Sequence, residues 1–496
     1  MPKLCAVLPL LAILIPSLSS QEMHDHGVPE KLGRVSFPIS CSAEVQAEFS
    51  RGVALLHSFA YAPANAAFGK VAALDPGCAM AQWGLAMTSF HQLWQPPVNP
   101  ASRPAALQEI ETAQRLGSPN TRERGYIHAL LLVFTDADKL PFSARDQKYE
   151  QAMADLAREN SGDVEAQVFY ALALLSNAPP TDRTHARQKK ALAILEPLDR
   201  AYPDHPGITH YIIHACDSSE LASQGLAAAR KYAQVAPSAP HALHMPSHIF
   251  TRLGLWQDST ASNLAASRAA HEQGDLGEEL HAMDYLVYAY LQLGRYDEAR
   301  QVIDRLDAMS NLGAGDFKVG YAATAMHVRY AVERRQWNDA ARLTPRPGAP
   351  PYVAALAVWA RGLGRTRGEH ASDVSQEIAQ LRRCEEQLQD AHDAYWAAQV
   401  KVLRKEVEAW NNQANQRAQL AEETLRAAAD EEDAMEKLPV TPGPIVPARE
   451  QLGELLLEQH RASDATAAFR LALADAPNRR GATEGIVRAA QMIGEK

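Results

Sequence analysis

The stretch RGVALLHSFAYAPANAAFGKVAALDP, residues 51–76, decides the fold of this chain. Gly52 lies on the first of two helices that the pattern predicts here, Phe68 and Val71 lie on the second, and Pro76 ends it. Small residues let two antiparallel helices approach each other, while large residues fill the gap between them. The stretch therefore predicts a helical hairpin that stacks on similar hairpins to bury its apolar face.

The same order of small and large residues returns near the end of the chain, where Gly453, Ala465, Phe469 and Pro477 fall at the corresponding offsets. Between the two ends, turn signatures recur at LGLW (253–256), LGRY (293–296) and RQW (335–337), with their last residues 40 and 41 positions apart. This is the tetratricopeptide pattern with insertions of about six or seven residues per unit. It predicts an all-α fold, a tetratricopeptide-type α-solenoid of antiparallel helix pairs in a right-handed superhelix.

Composition agrees with a helical protein and excludes some partners. The chain has 496 residues, of which 46% are apolar, so it has ample material for a core. A net charge of −10 without a basic stripe argues against nucleic acid as a partner. Beyond the N-terminal region no segment reaches the roughly 18 apolar residues of a spanning helix, so we expect no membrane insertion.

The N-terminus is typical of a secretory signal peptide. Lys3 precedes an apolar run from Cys5 to Pro16, and small residues follow within 17–20. We therefore predict a signal peptide over residues 1–20 and a periplasmic or secreted protein. The rest of the predicted organisation is a flexible tail over 21–36, a solenoid with the histidine-rich site over 37–343, a proline-rich linker over 344–351 and C-terminal repeat helices over 352–496.

Two of the cysteines are placed to form a disulfide. Cys41 and Cys78 flank the first repeat, and an oxidising compartment permits a bond between them. Such a bond would close a loop of about 38 residues and contribute roughly 3 to 4 kcal/mol to stability. Cys216 and Cys384 have no evident partners.

The chemistry of the chain is concentrated in a histidine-rich stretch. Eight of the eighteen histidines lie between His205 and His281. His210, His214 and Asp217 stand at i, i+4 and i+7, so one face of one helix carries all three.

A second face of the same kind follows. His241, His244 and His248 stand at i, i+3 and i+7, although Pro246 falls between the last two. The second helix is therefore either kinked at this proline or begins there, and in the second case His241 and His244 lie in an entry loop. A single helix separates the two faces, so they belong to neighbouring first helices of the repeat array and face its concave surface.

Imidazoles with one carboxylate are the ligand set of borderline transition metals. The spacing therefore predicts one ion of Zn, Cu, Ni or Fe on the inner surface. Its candidate ligands are His210, His214, Asp217, His241, His244 and His248. His281, with Asp284 three residues later on the same face, is the best candidate for a residue that orients a metal ligand without binding the metal itself.

Two other interpretations of this stretch remain open. The histidines could form a polar groove that holds a peptide or protein by hydrogen bonds, with or without a structural metal. Alternatively, the cluster could serve a metal-dependent hydrolase or oxidase, in which Asp217, Glu220 or Asp284 would have to act as the base because no His-Glu-x-x-His sequence is present. The sequence also contains no Gly-x-Ser-x-Gly elbow and no glycine-rich phosphate loop.

Several blocks of the chain resemble a group of exported bacterial tetratricopeptide-repeat proteins. The blocks that carry the resemblance are RGVALLHSFAY (51–61), DPGCAM (75–80), HYIIH (210–214), PHALHMPSHIF (240–250) and PVTPGP (439–444). The resemblance implies the repeat fold and export. It implies no activity, so the metal prediction depends on residue spacing alone.

Overall fold

A computed structural model describes residues 30–94, 96–310, 312–369, 371–438 and 440–494. The predicted signal peptide lies outside these residues. Residues 31–496 form one compact unit, with no division at the proline-rich stretch 344–351. The described residues contain helices and turns but no strand, which confirms the all-α prediction.

The helices follow one another with short connections. A short 3₁₀ helix, Ala43–Val45, precedes the first of them. In chain order they are α1 Gln46–His57, α2 Tyr61–Leu74, α3 Ala79–Met87, α4 Arg103–Leu116, α5 Thr121–Phe134, α6 Phe142–Glu159, α7 Val164–Ser176, α8 Ala186–Ala201, α9 Pro206–Ala215, α10 Ala222–Val235, α11 Pro240–His244, α12 Pro246–Arg252, α13 Trp256–Gln273, α14 Leu276–Gln292, α15 Tyr296–Asp307, α16 Phe317–Glu333, α17 Trp337–Ala340, α18 Pro351–Arg367, α19 Ser375–Asp390, α20 Ala394–Ala414, α21 Ala418–Asp433, α22 Ala448–Glu458, α23 Ala462–Asp475 and α24 Arg480–Gly494.

The first repeat owes its close packing to two glycines. Phe68 on α2 is wedged between Gly52 on α1 and Gly84 on α3, and a Cβ atom would lie 2.7 Å from its ring at Gly52 and 2.3 Å at Gly84. The last repeat has the same arrangement, with Phe469 on α23 between Gly453 and Gly485. The small and large residues of the two repeats therefore have the packing roles that the sequence pattern predicts.

Helices that are far apart in the sequence also contact each other. The His57 carbonyl at the end of α1 accepts a hydrogen bond from His210 on α9 at 2.6 Å, although 153 residues separate them. Near the other end, the fully buried guanidinium of Arg479 pairs with Glu333 and Glu450 and donates to the hydroxyl of Tyr288 on α14. The inner surface of the solenoid is therefore a filled interior at these levels, where the sequence predicts an open concave groove.

A segment without helix, formed by residues 437–438 and 440–447, runs through this interior. Lys437 pairs with Asp217 at 2.7 Å, the Thr441 carbonyl accepts from Tyr285 at 3.0 Å, and the Pro444 carbonyl accepts from Arg329 at 3.1 Å. Its prolines cannot continue a helix, and the chain forms turns and bends here. The segment covers the region of the histidine-rich helices.

The region before the first helix is fixed to the solenoid. Phe37 is fully buried, and the backbone NH of Arg34 donates to the Asp204 carbonyl at 2.9 Å, so part of the predicted flexible tail is ordered. A disulfide joins Cys41 to Cys78 across the first repeat. Within the described part of the chain, none of the helices combines the length and the apolar character needed to cross a membrane.

Candidate metal centre

The short helix α9 presents the first two histidines. His205 caps its N-terminus by accepting from the Ile208 NH, and Pro206 occupies its first position, where a missing NH costs nothing. His210 and His214, one turn apart, therefore share the face of α9 that looks into the interior.

Pro246 lies between the short helices α11 and α12, which carry His241, His244 and His248. Pro246 is at the first position of α12, but Met245 before it has helical dihedral angles, φ −54° and ψ −34°, and joins it to α11. His241 and His244 consequently lie on a helix and not in an entry loop. The bend at the proline lets histidines on both sides of it face the interior.

The structure divides the histidines into two groups of three. The first group is His210, His214 and His241, and the second group is His244, His248 and His281. Within each group one ligand nitrogen of each ring lies within 4.8 Å of the others. Nitrogens around a single Zn²⁺ at about 2.0–2.1 Å lie roughly 3.4 Å apart, so a bound ion would draw the rings slightly inward.

The structure therefore does not gather the six predicted ligands around one ion. His248 lies with His244 and His281, and not with His210, His214 and His241. Asp217 belongs to neither group. Its carboxylate is already engaged, because Lys437, Arg252 and the Nδ1 atom of His248 all contact it within 3.0 Å.

Four of the six rings are held by a hydrogen bond at Nδ1. The acceptors are the His57 carbonyl for His210 (2.6 Å), Glu278 for His241 (3.0 Å), Asn263 for His244 (2.6 Å) and Asp217 for His248 (2.9 Å). Each acceptor oxygen fixes the proton on Nδ1, so Nε2 keeps a free lone pair. This is how proteins orient metal-binding histidines.

Two of these lone pairs face each other. The Nε2 atoms of His244 and His248 are 3.0 Å apart, although the Nδ1 protons of both rings are committed to Asn263 and Asp217. The orientation of the Asn263 amide is fixed independently, because its nitrogen donates to the Ser259 carbonyl at 2.8 Å. Two lone pairs at this distance repel each other unless a proton or a metal ion lies between them.

Other ring nitrogens in the two groups have no hydrogen-bond partner although they are buried. They are Nε2 of His210, His241 and His281, and both nitrogens of His214. Each unpartnered buried polar atom costs about 1–3 kcal/mol. A metal ion would give several of them a partner at once, so the residues fit the metal.

The electrostatic surroundings keep the imidazoles neutral. Burial, reinforced by neighbouring histidines, holds the pKa values of His210, His214, His244 and His281 well below their usual range. Burial also lowers the pKa of His248 to about 4, although Asp217 opposes the shift. Neutral imidazole is the form that binds a metal.

The burial of these rings argues against the peptide-groove interpretation. His210 and His244 are fully buried, and only His214 is partly exposed among the six. Phe59, at the end of α1, closes the first group on one side, with ring centroids 4.5 Å from His210 and 5.3 Å from His241. A peptide could not reach these imidazoles, whereas an ion or a very small molecule could.

A third cluster lies beside the first group and is satisfied without a metal. Glu165 accepts from Nε2 of His57 at 2.7 Å and of His205 at 2.9 Å. The other nitrogen of His57 bonds the Tyr211 hydroxyl, and that of His205 accepts from the Ile208 NH. Burial opposes ionisation of Glu165, but His205 and His57 outweigh it and lower its pKa to about 2. This cluster fixes His57, whose carbonyl orients His210.

Sequence reasoning missed the roles of several residues. His281 is a member of the second group, whereas the sequence suggests a supporting role for it. Glu278, which orients His241, lies three residues before His281 on the same face of α14, and that spacing was the available signal. Of the proposed bases, Glu220 is half-exposed beside Lys189, and Asp284 faces Arg329 at 3.6 Å.

A cavity of about 340 Å³ lies next to the second group. Thr251, Arg252, Lys437 and Thr441 line its near wall, and Arg252 and Lys437 are the residues that hold Asp217. Six aromatic residues also line the cavity: Tyr288, Tyr321, Tyr352, Trp359, Tyr395 and Trp396. Arg252 and Lys437 therefore link this cavity to Asp217 and, through Asp217, to His248 of the candidate metal centre.

Comparisons with known proteins assign no activity to the chain. No protein-family model matches the chain, and no curated protein matches it either. A solved structure of a monomeric IFIT1 mutant with Gppp-AAAA is 12% identical, with 84% of this chain and 90% of that chain covered and a TM-score of 0.37. The TPR domain of P58(IPK) is 13% identical, with 91% and 99% covered and a TM-score of 0.22.

Proposed function

We propose that this protein is an exported tetratricopeptide-type scaffold that binds transition-metal ions through the two groups of histidines. The observation that carries the proposal is the contact between His244 and His248, whose Nε2 lone pairs face each other at 3.0 Å. A protein interior does not hold two such atoms together unless a proton or a metal ion binds between them, and burial disfavours the proton because it lowers the pKa of both rings. The unpartnered nitrogens of His210, His214, His241 and His281 extend the same argument to both groups.

The donor chemistry defines the class of metal. Each group offers three neutral imidazoles without a thiolate or a carboxylate. Imidazole suits Zn, Cu, Ni and Fe, and discriminates against Mg and Ca, which prefer oxygen ligands. Among divalent ions of the first row, Cu²⁺ should bind most tightly.

Export is part of the proposal because two features support it. The N-terminal sequence is typical of a signal peptide, and the bond between Cys41 and Cys78 requires an oxidising compartment to persist. In such a compartment thiols are scarce as metal ligands, and histidines replace them.

A metal-dependent enzyme is the second candidate function. Three protein ligands leave one position of a tetrahedral ion open, which is the arrangement of catalytic zinc sites. The aromatic cavity beside the second group supplies a place where a substrate could bind. Among the described residues, the hydrogen bonds and ring contacts of the six histidines involve no residue of the cavity lining, so a scaffold that holds the metal is the better-supported function.

The test is metal binding by protein that carries no His-tag. Protein refolded in chelator and freed of it is titrated with Zn²⁺, Cu²⁺, Ni²⁺ and Fe²⁺ in a calorimeter, and bound metal is measured after gel filtration. A variant with Ala at His214 and His248 removes one ligand from each group, and His271→Ala, an exposed histidine outside them, is the control. We expect tight binding by the wild type and the control only. Absence of binding to the wild type would refute the proposal.

A further inference from the structure

The two groups of histidines lie next to each other around a shared region of the interior. Across the boundary between the groups, ring centroids are 6.0 Å apart for His241 and His244 and 6.1 Å apart for His214 and His248. Within the groups, ring centroids are between 4.2 and 6.5 Å apart, so the cross-group distances fall inside the same range. Ions bound to the two groups would be neighbours.

The charge around this space is not sufficient to neutralise two divalent cations. The acids that orient the imidazoles are Asp217 and Glu278, and both are already paired with cations. Lys437 and Arg252 pair with Asp217, and Lys318 pairs with Glu278. Because the ligands are neutral and the nearby carboxylates are balanced, two divalent ions would require an anion between them.

The enclosure limits the size of that anion. Phe59 closes the first group, and Tyr285 stacks on His248 with ring centroids 4.9 Å apart to close the second. Trp94 packs edge-on against both His241 and His281, with centroids 5.8 Å away in each case. Because these aromatic rings pack directly against the histidines, an anion between the ions would have to be small.

We infer that the two groups form a single dinuclear centre in which two ions share one small bridging anion, such as hydroxide. This inference rests on the proposed function and adds to it the number of ions, their coupling and the class of ligand. The open position of each three-histidine ion faces its neighbour, and an oxygen or nitrogen donor fills both positions at once. Paired ions about 3.5–4 Å apart that share a ligand are an arrangement that proteins use for small-molecule chemistry.

Electron paramagnetic resonance distinguishes a coupled pair from two separate ions. Refolded protein is loaded with Cu²⁺, and bound copper and the spin-½ signal are measured on the same sample. We expect two bound ions and almost no signal, because a bridging anion couples the two unpaired electrons. Azide, a three-atom anion, should then produce a new charge-transfer absorption that saturates at one azide per pair of ions.

Single-ligand variants provide the internal control. His241→Ala and His281→Ala each disable one group, so each variant should bind one copper and show the full signal of one spin. His271→Ala should behave like the wild type. Two bound ions with the full signal of two isolated spins would overturn the dinuclear centre and leave metal binding intact, whereas no bound metal would overturn the proposed function itself. The wild-type spin count decides the question even if a variant fails to fold.

Discussion

Replacing His214 by Leu should stabilise the metal-free protein. Both ring nitrogens of His214 are buried and have no hydrogen-bond partner, so in the absence of metal the ring contributes two unsatisfied polar atoms. Each costs about 1–3 kcal/mol, and burial keeps the ring neutral by lowering its pKa. Leucine is similar in size, lacks polar atoms and favours a helix more strongly. We expect the free energy of unfolding in chelator to rise by about 1–3 kcal/mol.

The matched control is a substitution of His57, a buried histidine that needs no metal because protein groups satisfy both of its nitrogens. Both nitrogens of His57 are hydrogen-bonded, one to Tyr211 at 2.9 Å and the other to Glu165 at 2.7 Å. His57→Leu leaves the buried Glu165 carboxylate without one of its partners, which should cost about 3–5 kcal/mol. Urea unfolding followed by circular dichroism, with and without Zn²⁺, measures both variants.

The experiment tests whether His214→Leu raises or lowers the free energy of unfolding. With saturating metal the wild type gains about 4 kcal/mol at a free concentration 1,000 times Kd, and His214→Leu should lose much of that gain. The substitution should therefore stabilise the protein in chelator and destabilise it in metal. A loss of stability in chelator comparable to that of His57→Leu would refute the reasoning, because it would show that His214 is a satisfied core residue.

Other predictions test the fold and the titration of the site. Gly84→Ala should destabilise the protein by about 1–3 kcal/mol, because the added Cβ would lie 2.3 Å from the ring of Phe68. Gly69→Ala, whose Cβ would have nothing within 4 Å, should be neutral or stabilising, and urea unfolding measures both variants. Cys41→Ser should lower stability by roughly 3 kcal/mol, and reduction of the wild type should reproduce the loss; equal stability with and without reductant would exclude a bond to Cys78. Burial lowers the pKa of His248 to about 4, against about 6.5 in the unfolded chain, so the unfolded state takes up the proton first. Metal-free stability should therefore fall between about pH 6.5 and 4, and His248 alone should account for up to about 3 kcal/mol of the loss. His248→Gln should weaken that pH dependence, and an unchanged slope would contradict the assignment.

The fold was predictable from the sequence because it depends on local pattern. Phe68 and Phe469 occupy equivalent places between glycines in the first and last repeats, and the spacing of small and large residues encodes both contacts. The repeat is its own structural unit, so each pair of helices can be recognised without knowing the rest of the chain. The positions of His210 and His214 on one helical face follow from the same local periodicity.

The division of the site could not be predicted, because it depends on contacts between distant parts of the chain. His281 reaches the second group from α14, and Asp217 is neutralised by Lys437, which is 220 residues away. Nor does helical spacing reveal that α1 and α9 meet, which is what places the His57 carbonyl against His210. An open concave surface was expected because the pattern describes one repeat at a time. It contains no information about which distant helices pack together.

The segment formed by residues 437–438 and 440–447 should slow the exchange of ions at the second group. Lys437, Thr441 and Pro444 tie it to the interior, so we expect these contacts to loosen before an ion can leave. Loss of an ion should then require local unfolding of the protein in addition to the breaking of the metal–nitrogen bonds. A bound ion should be kinetically inert, remaining in the protein for long periods even where a stronger chelator is present.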